Sequence, residues 1–68
     1  MKEITIRDEY IKLGQALKLA GLVMGGGEAK EVIAEGLVEV NGETEERRGR
    51  KVYKNDVITY RGEKVKVI

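Results

Sequence analysis

The segment from Arg47 to Lys51 carries four basic side chains in five residues, Arg47, Arg48, Arg50 and Lys51, with a single glycine among them. The formal net charge of the chain is only +1. Residues 1–46, however, hold 5 basic and 10 acidic side chains, whereas residues 47–68 hold 8 and 2, so their net charges are −5 and +6. Guanidinium groups present a planar fork of donors that suits phosphate, and clustered cations attract polyanions. The segment predicts a phosphate-binding site.

A simpler interpretation is a solvated loop in which these cations pair with the preceding acids Glu43, Glu45 and Glu46. Exposed ion pairs of this kind contribute only about 0–1 kcal/mol each. Stability alone is therefore a weak reason to place four cations in five residues, and we favour binding of a polyanion.

The composition argues against catalysis. Cys, His and Ser are all absent, so the usual acyl-transfer nucleophiles and bases cannot be assembled, and the commonest zinc ligands are missing. Glutamates are abundant, but a chain of 68 residues offers little volume for a cleft that could shift the pKa of a carboxylate pair. We therefore expect a protein that is not an enzyme and carries no cofactor.

Hydrophobic periodicity predicts two helices in the first half of the chain. Glu3 to Arg7 alternates like a strand, but from Lys12 to Ala20 the apolar residues recur at helical spacing until Gly21. Gly14 inside this helix costs about 1 kcal/mol relative to alanine, which suggests a close contact there. A second, shorter helical face is followed by Gly36, and its apolar positions are Ala29, Val32 and Ile33.

The second half predicts strands. Val38 to Val40 leads into Asn41-Gly42, a pair typical of tight hairpin turns. The other expected strands and turns are a return strand at 43–46, an apolar stretch at 52–53, a turn at 54–56, a strand at 57–60, a turn at 61–62 and a strand at 63–68. The terminal strands match in pattern, so we expect Ile4 and Ile6 to share a sheet face with Val65 and Val67.

These elements predict an α+β fold: two short helices packed on a small, mostly antiparallel sheet whose N- and C-terminal strands pair. Residues 1–68 form one expected domain. No apolar run reaches the length of a membrane span, and residues 1–5 lack a signal-peptide core. We expect a cytoplasmic monomer without a membrane partner.

Two further features leave alternatives. Gly25-Gly26-Gly27 fits either a phosphate cradle at a helix N-terminus or an inter-helix turn with positive φ, and we favour the turn because Glu28 would repel an anion. The aromatic residues are three tyrosines: Tyr60 is expected to be partly in the core, and Tyr53 could stack a base. If the polyanion is a nucleic acid, so few rings favour recognition of a structured one by shape and backbone.

Together, residues 12–58 resemble the RNA-binding domain named after ribosomal protein S4. The resemblance lies in Leu13, Gly21-Leu22, Ala29-Lys30, Val32-Ile33, Gly36, Val38-Glu39-Val40-Asn41-Gly42 and Asn55-Asp56-Val57-Ile58 at matching spacings. With the glycine run and the basic segment, the chain is most similar to the small stand-alone bacterial members of YaaA/YbcJ type.

The resemblance implies the αL motif, in which a helix pair and an adjoining loop face structured RNA, with ribosomal RNA one candidate. It assigns RNA-binding positions to Lys12 and Lys30, beside Arg47, Arg48, Arg50 and Lys51 of the basic segment. Gly14 stands where the family usually has Asp, and Gly25-Gly26 where it has Ser-Arg. The alternative is a β-grasp-like protein-interaction module. The chain lacks the C-terminal Gly-Gly of the sulfur carriers of that fold, and a helix pair precedes the first Val-x-Val strand.

Overall fold

The computed structural model describes residues 1–68 and contains two helices and seven short strands. The elements are β1 (Lys2–Ile4), β2 (Tyr10–Lys12), α1 (Leu13–Leu19), α2 (Gly26–Ala34), β3 (Val38–Val40), β4 (Glu43–Thr44), β5 (Lys51–Tyr53), β6 (Val57–Tyr60) and β7 (Glu63–Val67). Neither helix has the length and apolar character needed to cross a membrane. The predicted α+β architecture is confirmed.

Five strands form one sheet in the order β1-β7-β6-β3-β4, while β2 and β5 form a separate antiparallel pair. Within the larger sheet only β1 and β7 are parallel, with Ile4 opposite Val67. Ile4, Val65 and Val67 are all buried. The pairing of the terminal strands is therefore confirmed, although β1 ends at Ile4 instead of continuing to Arg7.

The apolar faces predicted for the helices are the faces that enter the core. Leu13, Ala16 and Leu17 of α1 are buried, as are Ala29, Val32 and Ile33 of α2. Gly21 and Gly36, predicted to end the helices, follow α1 and α2 with φ of 74° and 76°. The helices cover a sheet whose buried side chains include Val38, Ile58 and Val65.

Asn41 connects two turns of the sheet. It and Gly42 have φ of 53° and 84°, as the Asn-Gly hairpin predicts. The Asn41 side-chain amide donates to Asp56 Oδ1 at 3.0 Å, and Asn41 Oδ1 accepts from the Val57 backbone N–H at 2.9 Å. Asp56 Oδ2 in turn accepts from the Tyr53 backbone N–H at 2.8 Å. This network fixes the end of β5.

The prediction for Gly25-Gly26-Gly27 is wrong. Gly25 is the N-cap of α2 with an extended φ of −165°, and Gly26 and Gly27 are the first helical residues. None of the three has a positive φ. The physical reason is Glu28, whose carboxylate accepts the Met24 backbone N–H at 2.8 Å. This reach back across the first turn resembles half of a capping box and starts the helix within the glycine run.

Candidate nucleic-acid interface

The basic loop (residues 47–51) is held against the N-terminus of α1 by its own backbone. The N–H of Leu13 donates to the Arg50 carbonyl at 2.9 Å, and the N–H of Gly14 donates to the Arg48 carbonyl at 3.0 Å. The N-cap residue Lys12 makes no side-chain cap. Because the first N–H groups of a helix lack partners within it, the loop carbonyls satisfy them. The loop therefore has a defined position.

Three elements meet at Gly14. A methyl group added there would lie 3.6 Å from Arg48 Cβ and 3.9 Å from Ala29 Cβ. Gly14 is in contact with both elements as predicted, but these are ordinary van der Waals distances that leave room for a methyl, so the contact does not require glycine. Further along α1, Lys18 Nζ lies 4.0 Å from the place that a methyl group on Gly26 would occupy. Since residue 14 neighbours residue 29 and residue 18 neighbours residue 26, the two helices run in broadly opposite directions.

A concave surface of about 340 Å³, here called the groove, lies where α1, α2 and the basic loop converge. Its lining contains three cations, no acidic side chain and a floor of small residues. The lining residues are Lys12, Gly14, Gln15, Lys18, Gly26, Ala29, Arg48 and Gly49. The N-terminus of α2 opens into it at Gly26, and the Glu28 carboxylate in the first turn of that helix accepts the Met24 N–H outside the lining. The groove can accept an anion without displacing a carboxylate.

Glu45 divides the basic loop into two kinds of arginine. This residue is only 8% exposed, and its carboxylate contacts Arg47 Nε at 3.1 Å and Arg50 Nη1 at 3.3 Å. It also accepts the Arg47 backbone N–H at 3.1 Å. The side-chain hydrogen bond from Arg47 holds the Glu45 pKa at about 2, against the opposing effect of burial. Of the ion pairs considered with Glu43, Glu45 and Glu46, only those to Glu45 form.

The structure brings together some of the predicted RNA-binding residues. Lys12 and Arg48 line the groove. Lys51 lies directly opposite Lys12 in the β2–β5 pair. Arg47 and Arg50 line a shallow concavity with Gly49 and Lys51.

Lys30 is separate from that cluster. It is exposed on α2, one helical turn beyond Gly26, and lines neither concavity. Sequence reasoning missed Lys18, which does line the groove. Helical spacing could have indicated Lys18. It lies four residues after Gly14 and three after Gln15 and therefore shares their helical face.

The β2–β5 pair, here called the ribbon, was also missed. Tyr10 lies opposite Tyr53, with ring centroids 6.0 Å apart. Lys51 Nζ lies 4.8 Å from the Tyr10 ring centroid. Tyr60, by contrast, is 2% exposed and belongs fully to the core.

Comparison with known proteins gives a consistent family assignment. The family model described as S4 domain matches residues 4–68. A probable ribosome maturation protein of Bacillus subtilis (strain 168), RlbA, is 49% identical over 59 residues, which are 87% of this chain and 83% of that protein. YbcJ of Escherichia coli (strain K12) is 36% identical over 59 residues, 87% of this chain and 84% of that protein.

Two solved structures share the fold. The solution structure of YbcJ from E. coli, which reveals an αL motif involved in RNA-binding, superposes with a TM-score of 0.77 at 32% identity and covers 100% of this chain and 87% of that chain. The 30S ribosomal protein S4e from Thermoplasma acidophilum superposes with a TM-score of 0.64 at 31% identity, over 85% of this chain and 31% of that chain.

Proposed function

The chain belongs to the S4 domain family, and from this membership and the geometry of the groove we propose that it is a non-catalytic protein that binds structured RNA. Ribosomal RNA is the ligand we propose first, because the proteins similar to this chain include a probable ribosome maturation protein and a ribosomal protein. We further propose that the protein acts as a cytoplasmic monomer. The family assignment removes the β-grasp alternative.

The observation that carries this proposal is the convergence of Lys12, Lys18 and Arg48 in a groove without acidic lining. Double-stranded RNA is recognised mostly by shape and by contacts to phosphates and 2′-hydroxyls, because its major groove is too narrow for side chains to read. A rigid concave surface with spaced cations suits that recognition. The loop carbonyls that bind α1 supply the rigidity.

The basic residues have different proposed roles. Lys12, Lys18 and Arg48 contact phosphates within the groove, and Lys51 extends the positive surface onto the ribbon. Lys30 contacts the RNA beyond the groove, one turn along α2. Arg47 and Arg50 contribute to the field around the loop but contact phosphate less, since Glu45 holds both.

The test is a salt titration of binding to a ribosomal RNA hairpin. Log affinity should fall linearly with log salt, and the slope should be proportional to the number of phosphates neutralised. Lys12→Ala, Lys18→Ala and Arg48→Ala should each flatten the slope by about one. Lys64→Ala is the matched control, because Lys64 is exposed on β7 outside the groove. Binding that does not respond to salt, or a slope altered equally by the control, would contradict the proposal.

A further inference from the structure

We propose that the outer face of the ribbon binds an unpaired nucleotide of the RNA, with its base stacked on Tyr53 and its phosphate held by Lys12 and Lys51. This inference rests on the proposed function and specifies the RNA class. The preferred RNA is a duplex that carries a bulged or otherwise unpaired nucleotide, and a fully paired helix binds less tightly.

The cross-strand register sets which side chains share the outer face. Tyr10 lies opposite Tyr53, Ile11 opposite Val52 and Lys12 opposite Lys51. Val52 is fully buried and Ile11 packs against the core. Because successive side chains of a strand point to opposite faces, the two tyrosines and the two lysines lie together on the outward side.

The tyrosine pair leaves one ring open. Tyr53 is 42% exposed, and Tyr10 supports it with a tilted contact at an interplanar angle of 54°. Lys51 covers the Tyr10 ring, with Nζ at 4.8 Å from its centroid. The Tyr53 backbone is fixed by the hydrogen bond to Asp56. Tyr53 is therefore a positioned aromatic surface, which is the feature that stacks unpaired bases in RNA-binding proteins.

The lysine pair is the second, independent observation. Like charges placed directly opposite one another destabilise a strand pair, and the ribbon has only two strands. No acid compensates, since the ion pairs of the structure all go to Glu45, and the partner of Lys51 is the neutral Tyr10 ring. A phosphate between Lys12 and Lys51 would remove this repulsion. Two exposed lysines on one face of the ribbon, without an acid beside them, therefore favour an anionic ligand.

The spacing joins these two pairs into one site. Lysines and tyrosines are two residues apart along the strands, which is about 6.6–6.8 Å, a separation that one nucleotide can span from phosphate to base. Lys12 also lines the groove. A strand of RNA can thus pass from the groove onto the ribbon without a gap. Inside a duplex the bases are stacked on each other, so only an unpaired nucleotide can reach Tyr53.

The experiment compares two RNA hairpins that differ by one bulged residue, 2-aminopurine, whose fluorescence reports stacking. Wild-type protein should bind the bulged hairpin about 5- to 150-fold more tightly than the paired one, as expected for one stacked base. The fluorescence of the 2-aminopurine should change when the protein binds. Tyr53→Ala should abolish the preference and the fluorescence change, whereas Tyr53→Phe, which keeps the ring, should preserve both.

Equal affinity of the wild type for both hairpins, or an unchanged 2-aminopurine signal, would overturn this inference and leave the proposed function intact. A Tyr53→Ala variant that melts normally and retains the preference would also overturn it. Absence of wild-type binding to either hairpin at low salt would overturn the proposed function as well. The fluorescence measurement uses unaltered protein, so an unchanged signal overturns the inference even if Tyr53→Ala unfolds.

Discussion

Arg47 and Arg50 differ from Arg48 and Lys51 in what they contact, although all four lie within five residues. The first two bind the buried carboxylate of Glu45. Arg48 lines the groove, and Lys51 faces outward from the ribbon. Neither of these has a carboxylate partner in the structure. A dense run of cations therefore contains both a structural pair and a pair that is free for a ligand.

The ion pairs of Arg47 and Arg50 are one of two sets of contacts that hold the loop. Glu45 is anchored by its backbone N–H, which donates to the carbonyl of Val38 in β3 at 3.0 Å. A buried carboxylate requires compensating donors, and Arg47 and Arg50 supply them. The backbone of the same loop is held at its other contact, where the carbonyls of Arg48 and Arg50 accept the first N–H groups of α1. Paired and unpaired cations therefore alternate along the loop: Arg47 and Arg50 contact Glu45, whereas Arg48 and Lys51 have no carboxylate partner.

The largest effect is expected from a substitution in the core of α1, the helix against which the basic loop is held. Leu17 of α1 is fully buried, and Leu17→Ala should lower the free energy of unfolding by about 2–5 kcal/mol. A domain this small has a total stability of similar size, so the variant should be largely unfolded at physiological temperature. Denaturant titration measures this loss. A change of less than about 1 kcal/mol would mean that α1 is not the support assumed here.

The next experiment distinguishes the two pairs by reversing the charge of one arginine in each. Arg48→Glu should lower RNA affinity about 10-fold or more, because it removes a charge-assisted phosphate contact, and should leave the melting temperature nearly unchanged. Arg50→Glu should act mainly on stability, because it places a second carboxylate beside Glu45. Binding and thermal melts of both variants check this contrast. Equal effects of the two reversals on affinity would show that the loop acts as a uniform patch.

Glu45 should make stability depend on acid pH. Its folded pKa of about 2 lies below the ordinary value of 4.5. Its contribution is therefore fully present above pH 4.5 and is lost as the pH falls toward 2. Glu45→Gln should lower the free energy of unfolding by about 1–2 kcal/mol at neutral pH. It should also reduce the fall of that free energy at acid pH. Unfolding free energies measured at several pH values test it, with Glu43→Gln, an exposed neighbour, as the control.

The smallest expected effect is at Gly14, where the loop and both helices meet. Its φ is not positive, and an added methyl would make only ordinary contacts with Arg48 and Ala29. Gly14→Ala should therefore stabilise α1 by a few tenths to about 1 kcal/mol. Thermal melting detects the gain. Loss of stability would show that the contacts of the added methyl with Arg48 and Ala29 are unfavourable.

Local patterns were enough to place most elements of the fold. The apolar spacing of Leu13 and Leu17, the Asn41-Gly42 turn and the strand at Val57–Tyr60 all correspond to the structure. The ribbon could not be found in this way. Tyr10–Lys12 is only three residues long, and its partner lies some 40 positions later, at Lys51–Tyr53. Its alternation is too short to predict a strand without knowledge of the partner.

The candidate site was predicted to a similar extent. Residue types alone indicated a polyanion ligand at residues 47–51, and the spacing of motif residues indicated the S4-type domain. The pairing of the cations with acids could not be predicted, because Glu43, Glu45 and Glu46 are equivalent in sequence. Only burial distinguishes Glu45 from the others.

The sequence by itself determined the class of ligand, because the charge of a side chain and the donor geometry of a guanidinium do not depend on the fold. It also determined the helical and strand faces, because backbone periodicity is a local property. The tertiary structure decided which cations are free, which residues join Lys12 and Arg48 in the groove, and that Tyr10 meets Tyr53. These are contacts between residues distant in the chain, and they exist only once the hydrophobic core has formed.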